Sequence, residues 1–442
     1  MKEKLPLKTA LVLGGALFSM HFGASCMLYP VTWGKESGNA VWIAYLGIFL
    51  SAVLLPLMGY TALSLSEKSF LETVKQAAPK FGLAFCLVLI LINGPIYIIP
   101  RMSAAAWEAV VQLFSLSGVG RLPVILFNIV YYVICYWFLS SRSKIMDRLG
   151  SILFPVLIIV MLAVVIKGCV QPIASTRLAP SYDEPPFVYG FLQGYATADL
   201  LCSLMFGVVI INQLRNHNIG SASINKNMVL IGVIGLGLLA FTHLGHMLVG
   251  AGTGGTIDLT LSALYAEVVL RLWGRAGGMI FMVALVAASM STAVGIGAAC
   301  SEYIGEVLGW RYKYNHIVLA VCAVSLIVSC VGLNSMIVLM GPLLDACYPG
   351  AIVLAIYYSF MPKFTQENHL RGLKYSMIVA TILASLHLVY ALNGAFHWQL
   401  SWYDRIYLAL PLAKLNFAWL PGAAIAFIVG CLFPCKSNLK KA

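Results

Sequence analysis

Two stretches of this chain put small and polar residues where a membrane-crossing segment should be apolar, and both could hold a small charged solute. The first is His21-Phe22-Gly23-Ala24-Ser25-Cys26, set between the apolar residues 10–20 and the run toward Pro30. The second is Gly194-Tyr195-Ala196-Thr197-Ala198-Asp199, between Phe187 and Ile211. A helix interrupted in lipid leaves backbone groups with no water to satisfy them. Such interruptions persist when they line a cavity for a polar solute and a cation, as in secondary transporters.

At the first interruption Gly23 tolerates unusual dihedrals, and Ala24, Ser25 and Cys26 are small. A second half-helix starting near Ser25 would present free N–H groups of positive dipole character, a natural seat for a carboxylate. Carbonyls closing the first half, around Ser19 and Phe22, would face a cation or an ammonium. The competing reading makes Gly23-Ala24-Ser25 a small-residue helix-packing face. At the second interruption, Asp199 is a carboxylate near the bilayer midplane, an expensive position that is usually functional. It could neutralise an ammonium, help hold a cation or take up a proton; equally, it could cap the second half-helix. Thr197 and Tyr195 add hydrogen-bonding groups beside Gly194.

A third candidate is Ala288-Ser289-Met290-Ser291-Thr292, where two hydroxyls and a carbonyl one turn earlier offer hard oxygen ligands suited to sodium. The competing reading has Ser and Thr bonding back to their own helix. His243 and His246 share a helix face and could carry protons or bind metal; with no acidic or thiol partner near in sequence, they read as packing residues or as lining an aqueous cavity. Asp345 reads as a second intramembrane carboxylate, paired with a basic group. Arg101 and Glu108 read as an interfacial arrangement at the external end of their span. Gly252-Thr253-Gly254-Gly255 lacks the Lys of a phosphate-binding loop, and neither a zinc-protease helix nor a nucleophile elbow occurs. Eleven cysteines, mostly single within apolar runs, indicate neither a disulfide framework nor a metal cluster.

The elements that must position these groups follow from composition. The 442 residues are 61% hydrophobic and 10% charged, which requires a polytopic membrane protein. Runs of span length occur near 9–32, 40–63, 81–104, 122–140, 148–168, 187–211, 226–250, 277–299, 315–332, 335–360, 373–392 and 417–434. The expectation is an all-α protein of about twelve transmembrane helices in one domain, with an amphipathic piece, Leu259–Trp273, along the surface. The basic N-terminus imitates a signal peptide, but apolar character returns after Cys26, so the segment reads as the first span. Most of the 28 Lys and Arg fall on the N-terminal side, predicting both termini in the cytoplasm of a cell (inner) membrane. That assignment leaves no basic stripe for nucleic acid. The interrupted spans, one and six, stand five apart. That spacing predicts inverted repeats of five helices (approximately 9–168 and 187–360), with accessory helices at approximately 373–434.

These residues resemble the bacterial branched-chain amino acid carrier family (BrnQ / LIVCS type), of the amino acid-polyamine-organocation superfamily. The resemblance runs over nearly the whole chain. It is carried by Phe22-Gly23-Ala24-Ser25 with Tyr29-Pro30, Gly94-Pro95 with Ile99-Pro100-Arg101, and Gly190 through Asp199. Ser291 through Gly295, Cys300-Ser301-Glu302-Tyr303 and Tyr348-Pro349 complete it. It implies a leucine-transporter-like fold with broken helices 1 and 6, and uptake of leucine, isoleucine and valine coupled to Na+ or H+. It also implies a sodium site formed by the carbonyls of Ser19, Phe22 and Ala288 with the hydroxyls of Ser291 and Thr292. Where the family commonly has Gly-Asn this chain has Ser25-Cys26, removing an amide from any second ion site. Gln193 stands where Glu is common, which disfavours proton coupling there.

The expected function is therefore a symporter for aliphatic amino acids working by alternating access, not an enzyme. Substrate would contact Phe22, Gly23, Ala24, Ser25, Cys26, Gly194, Tyr195, Thr197 and Asp199, with Leu200 and Phe206 in an apolar pocket. Beyond the coupling ion no cofactor is expected, and beyond solute and bilayer no obligate protein partner. Methionine or a nucleobase as solute, or a membrane-embedded enzyme, are the alternatives.

Overall fold

The computed structural model describes residues 3–432 apart from 67, 117, 119, 141–153 and 361–366. All its regular elements are helical. Each sequence-predicted span falls mainly on helix where it is described; 148–153 of the fifth and 433–434 of the last lie outside the described residues.

Span one consists of α1 (Leu7–His21) and α2 (Ala24–Ser37), and span two of α3 (Val41–Phe49) and α4 (Leu55–Ser66) joined by a π turn. A short helix, α5 (Phe70–Ala77), leads to span three, α6 (Pro79–Leu91) and α7 (Ile98–Leu113), which bends at Gly94-Pro95. Spans four and five are α8 (Arg121–Leu139) and α9 (Phe154–Val170). Span six consists of α10 (Pro186–Gln193) and α11 (Asp199–Asn216), bent by 44°. Span seven is α12 (Ser221–Ala251). The next helix, α13 (Leu261–Val307), kinks at Gly274, where φ is +66°. That kink separates the amphipathic segment expected near Leu259–Trp273 from span eight. The last spans are α14 (Tyr314–Ser329), α15 (Leu333–Phe360), α16 (Glu367–Phe396) and α18 (Trp419–Leu432), with the short α17 (Ser401–Leu408) between the final two.

The bilayer face is visible on α8. Leu126, Ile129, Val130, Val133 and Trp137 are all exposed and recur at three- and four-residue spacing, a stripe that only lipid can cover. Inward, backbones touch. A methyl added to Gly34 of α2 would lie 1.9 Å from the Met247 carbonyl oxygen of α12, and one on Gly250 would lie 1.9 Å from that of Val31. Gly190 of α10 meets the Ala44 carbonyl of α3 as closely. Hydrophobic contrast cannot drive helix association in lipid, so such close van der Waals contact holds these spans together. The second half of span one is thereby clamped to span seven, and the first half of span six to span two.

Candidate functional site

The break in span one falls at Gly23 as expected. α1 ends at His21, Phe22 and Gly23 are non-helical, and α2 begins at Ala24, next to Ser25. Gly23 is extended at φ −101°, ψ −173°. What requires glycine there is proximity: a Cβ would sit 2.2 Å from Thr292 Oγ1 of α13. In span six, Gly194–Thr197 form a single 3₁₀ turn and Ala198 adopts the left-handed conformation (φ +61°), a strain of about 1 kcal/mol for a residue with a Cβ. Thr197 Oγ1 donates back to the Gly194 carbonyl, 2.9 Å away. Ala198 occupies the N-cap position of α11 and no side chain caps it, so Asp199 does not have the capping role.

Asp199 instead spans the gap between the two breaks. Its Oδ1 lies 2.7 Å from Nδ1 of His21, the last residue of α1. The other ring nitrogen, Nε2, lies 2.8 Å from the Tyr60 hydroxyl of α4. All three residues are buried. With the carboxylate ionised, Nδ1–H donates to it; Nε2 then accepts from Tyr60 in the neutral ring or donates in the imidazolium. Asp199 Oδ2 has no partner and remains available.

Cys26 Sγ donates to the His21 carbonyl at 3.2 Å. Although distant in sequence, Cys26, Asp199 and His243 bring donor atoms within 4.8 Å of one another. His243, which has no acidic or thiol group near it in sequence, thus has both beside it in the fold. Neither His243 ring nitrogen has a hydrogen-bond partner. His246 differs, with Nδ1 2.7 Å from the Thr242 carbonyl and its ring stacked 6.2 Å from Phe22. It reads as a packing residue.

Two of the proposed oxygen ligands, Ser291 Oγ and the Ser19 carbonyl, also meet. Ser291 Oγ donates to the Ser19 carbonyl at 3.1 Å, and Thr292 Oγ1 lies 3.5 Å from that of Met20, a carbonyl absent from the expected set. Ala288 is fully buried on the same helix. These hydroxyls reach across to α1 instead of back to their own helix. A set of neutral hard oxygens fits a sodium-sized cation better than a thiophilic metal.

Leu200 and Phe206 are completely buried, and the Phe206 ring packs edge-on against His21 at 5.5 Å. Tyr195 stacks on Tyr348 of α15, with ring centroids 4.1 Å apart and planes 14° from parallel. Arg101 overturns its interfacial reading. It is 1% exposed, and its Nη1 donates to the Ala196 carbonyl in the break of span six at 2.8 Å. Asp345, read as paired with a basic group, forms no ion pair with any described residue.

The family profile described as branched-chain amino acid transport protein matches residues 6–437. The branched-chain amino acid permease BraB of Bacillus subtilis (strain 168) is 31% identical over 444 residues, covering 97% of this chain and 96% of its own. The chain belongs to this family of transport proteins. A putative branched-chain amino acid carrier protein of Staphylococcus epidermidis (strain ATCC 12228 / FDA PCI 1200) is 27% identical, covering 98% of both chains. Among solved structures, Mhp1, a nucleobase-cation-symport-1 family transporter with bromovinylhydantoin bound, aligns with a TM-score of 0.61 at 12% identity, covering 96% of this chain and 91% of that one. MhsT in complex with L-phenylalanine aligns with a TM-score of 0.55 at 14% identity, covering 97% and 99%. At such identities the likeness establishes the fold, that of the leucine-transporter class with broken helices 1 and 6. This branched-chain amino acid transport protein is thus a multi-pass membrane transporter and not an enzyme.

Sequence reasoning missed His21, Tyr60 and Tyr348 as site residues of the transporter. For His21 a signal was present, since an ionisable imidazole inside an apolar run is a functional candidate in the same way as a carboxylate. Tyr60 carries no such signal, and Tyr348 stands out only through the Tyr348-Pro349 part of the resemblance.

Proposed function

We propose that this transporter imports leucine, isoleucine and valine across the cell (inner) membrane by sodium-coupled symport and alternating access, with both termini cytoplasmic. The observation that carries the reading is that the two helix breaks face each other, joined by the His21–Asp199 pair. The substrate carboxylate meets the uncapped start of α2 at Ala24, Ser25 and Cys26. Its ammonium meets the free Oδ2 of Asp199 and the backbone from Gly194 to Thr197. The aliphatic side chain lies against Leu200 and Phe206. A methylene is worth only about 1–3 kcal/mol in such a pocket, so discrimination among aliphatic substrates is modest. Sodium, as co-substrate, takes the oxygens of Ser19, Phe22, Ala288, Ser291 and Thr292. The five-helix repeats, approximately 9–168 and 187–360, rock against each other around this site, while 373–434 serve as accessory helices.

The buried imidazole–carboxylate pair favours a second reading, proton coupling at His21–Asp199. Radiolabelled leucine uptake into proteoliposomes separates the two. A sodium gradient alone should drive accumulation; accumulation under a proton gradient alone selects the second reading. No uptake under either gradient removes both.

A further inference from the structure

Arg101 carries a permanent charge with no anion beside it. It is among the largest fully buried side chains. Its Nη1 is engaged by the hydroxyls of Tyr97 at 3.1 Å and Tyr29 at 3.4 Å as well as by the Ala196 carbonyl. The Tyr97 and Tyr29 rings also lie 4.7 and 5.4 Å from the guanidinium carbon. Its Nε and Nη2 have no partner, and among the described residues no carboxylate forms an ion pair with it. A cation this deep in a membrane protein is retained only when something compensates it.

A second, independent observation points to the same compensation. Ser25, the second residue of α2, is buried and its hydroxyl also has no partner. It lines one small cavity together with Arg101, Leu28, Tyr29, Ala105, Leu261 and Leu333. The α2 N-terminus beside it has no side-chain cap. An unpartnered hydroxyl and a guanidinium with two unpartnered nitrogens therefore line the same small cavity, beside a helix start that no side chain caps.

We propose that this point binds a monoanion, the α-carboxylate of the substrate, with Arg101 as the residue that distinguishes amino acids from plain amines. The inference rests on the amino-acid reading above and supplies its anionic half. A guanidinium edge matches a carboxylate in plane and in spacing, which a lysine ammonium does not. Because Nη1 stays on Ala196, a carboxylate on Nε and Nη2 ties span three to both breaks at once. Free chloride shares the required chemistry.

The test is competition against radiolabelled leucine uptake by full-length protein in proteoliposomes. The competitors are unlabelled leucine, leucinol, which keeps the ammonium and loses the carboxylate, and 4-methylpentanoate, which does the reverse. In the natural protein leucinol should compete roughly 30-fold or more less well than leucine, the scale of a charged hydrogen-bonded pair. In Arg101→Gln and Arg101→Lys the two should compete within about threefold of each other, because the bidentate contact is lost. Should those variants fail to fold, Ser25→Ala carries the same comparison, with leucine weakened and leucinol unchanged. Chloride replacement by sulfate should leave leucine competition unaltered. A leucine-to-leucinol ratio that survives in folded Arg101→Gln overturns the proposal, as does dependence on chloride with that ratio intact. If no amino acid is taken up by the natural protein, the parent reading fails first and this one falls with it; uptake that persists without carboxylate discrimination sinks this one alone.

Discussion

His21 Nδ1 and Asp199 Oδ1 lie 2.7 Å apart although 178 residues separate them, and each terminates one half of a broken span. The pair is the direct physical link between the two breaks. Its energetics are those of a buried hydrogen-bonded pair, where removing one partner leaves the other unsatisfied and hurts more than removing both. Replacing His21 by Ala strands the Asp199 carboxylate and should destabilise the folded carrier by about 3 kcal/mol, read as a lowered melting temperature in detergent. Asp199→Asn keeps an acceptor for Nδ1 and should melt closer to the natural protein while losing most uptake. The double variant should be more stable than the sum of the single losses, with a coupling of about 1 kcal/mol or more. Strict additivity would mean that the two side chains do not interact.

Thr292 Oγ1 touches the end of α1 at Met20 and packs on Gly23. Thr292→Ala should raise the sodium concentration for half-maximal uptake about tenfold, the equivalent of roughly 1.4 kcal/mol, with membrane abundance unchanged. Sodium activation identical to the natural protein would refute the oxygen site.

The stacked Tyr195 and Tyr348 link span six to span ten at the break of span six. Tyr348→Phe keeps the ring and should leave leucine uptake within a factor of about two, while Tyr348→Ala should weaken apparent leucine affinity by about 0.5–1.5 kcal/mol beyond the loss of burial. Equal effects of the two substitutions would show that the hydroxyl, not the ring, is what matters.

Close helix approach makes a separate prediction about stability. Gly34→Ala sets a methyl against the Met247 carbonyl and should cost about 1–3 kcal/mol, again read from thermal melts. Gly237→Ala on the same span-seven helix meets nothing within 4 Å and should be neutral or stabilising by up to about 1 kcal/mol. Similar destabilisation by both would deny that the Gly34 contact is tight.

How much of this was legible in the residues depends on the range of the interaction. Both breaks could be read because Gly23-Ala24-Ser25 and Gly194 through Asp199 are local departures from apolar helix, and the Ser291-Thr292 hydroxyls because adjacent polar residues in a span are conspicuous. What the sequence does not carry is why glycine is needed at the break: Gly23 is met by Thr292 from another helix. Tertiary partners were invisible: nothing near His243 in sequence announces Cys26 or Asp199, and Asp199 gives no hint of His21. Arg101 misled for a different reason. A guanidinium toward the end of a span ordinarily reaches the interface, and only the fold turns it inward onto Ala196.

The account stands on the amino acid lying between the two breaks. A cryo-electron microscopy structure of the full-length carrier in saturating leucine and sodium measures that directly. Density for one leucine is expected with its carboxylate at Ser25 and its ammonium at Asp199, flanked by unwound Phe22–Gly23 and Ala196–Ala198. Leucine bound elsewhere, with both breaks rewound into continuous helix, would contradict it.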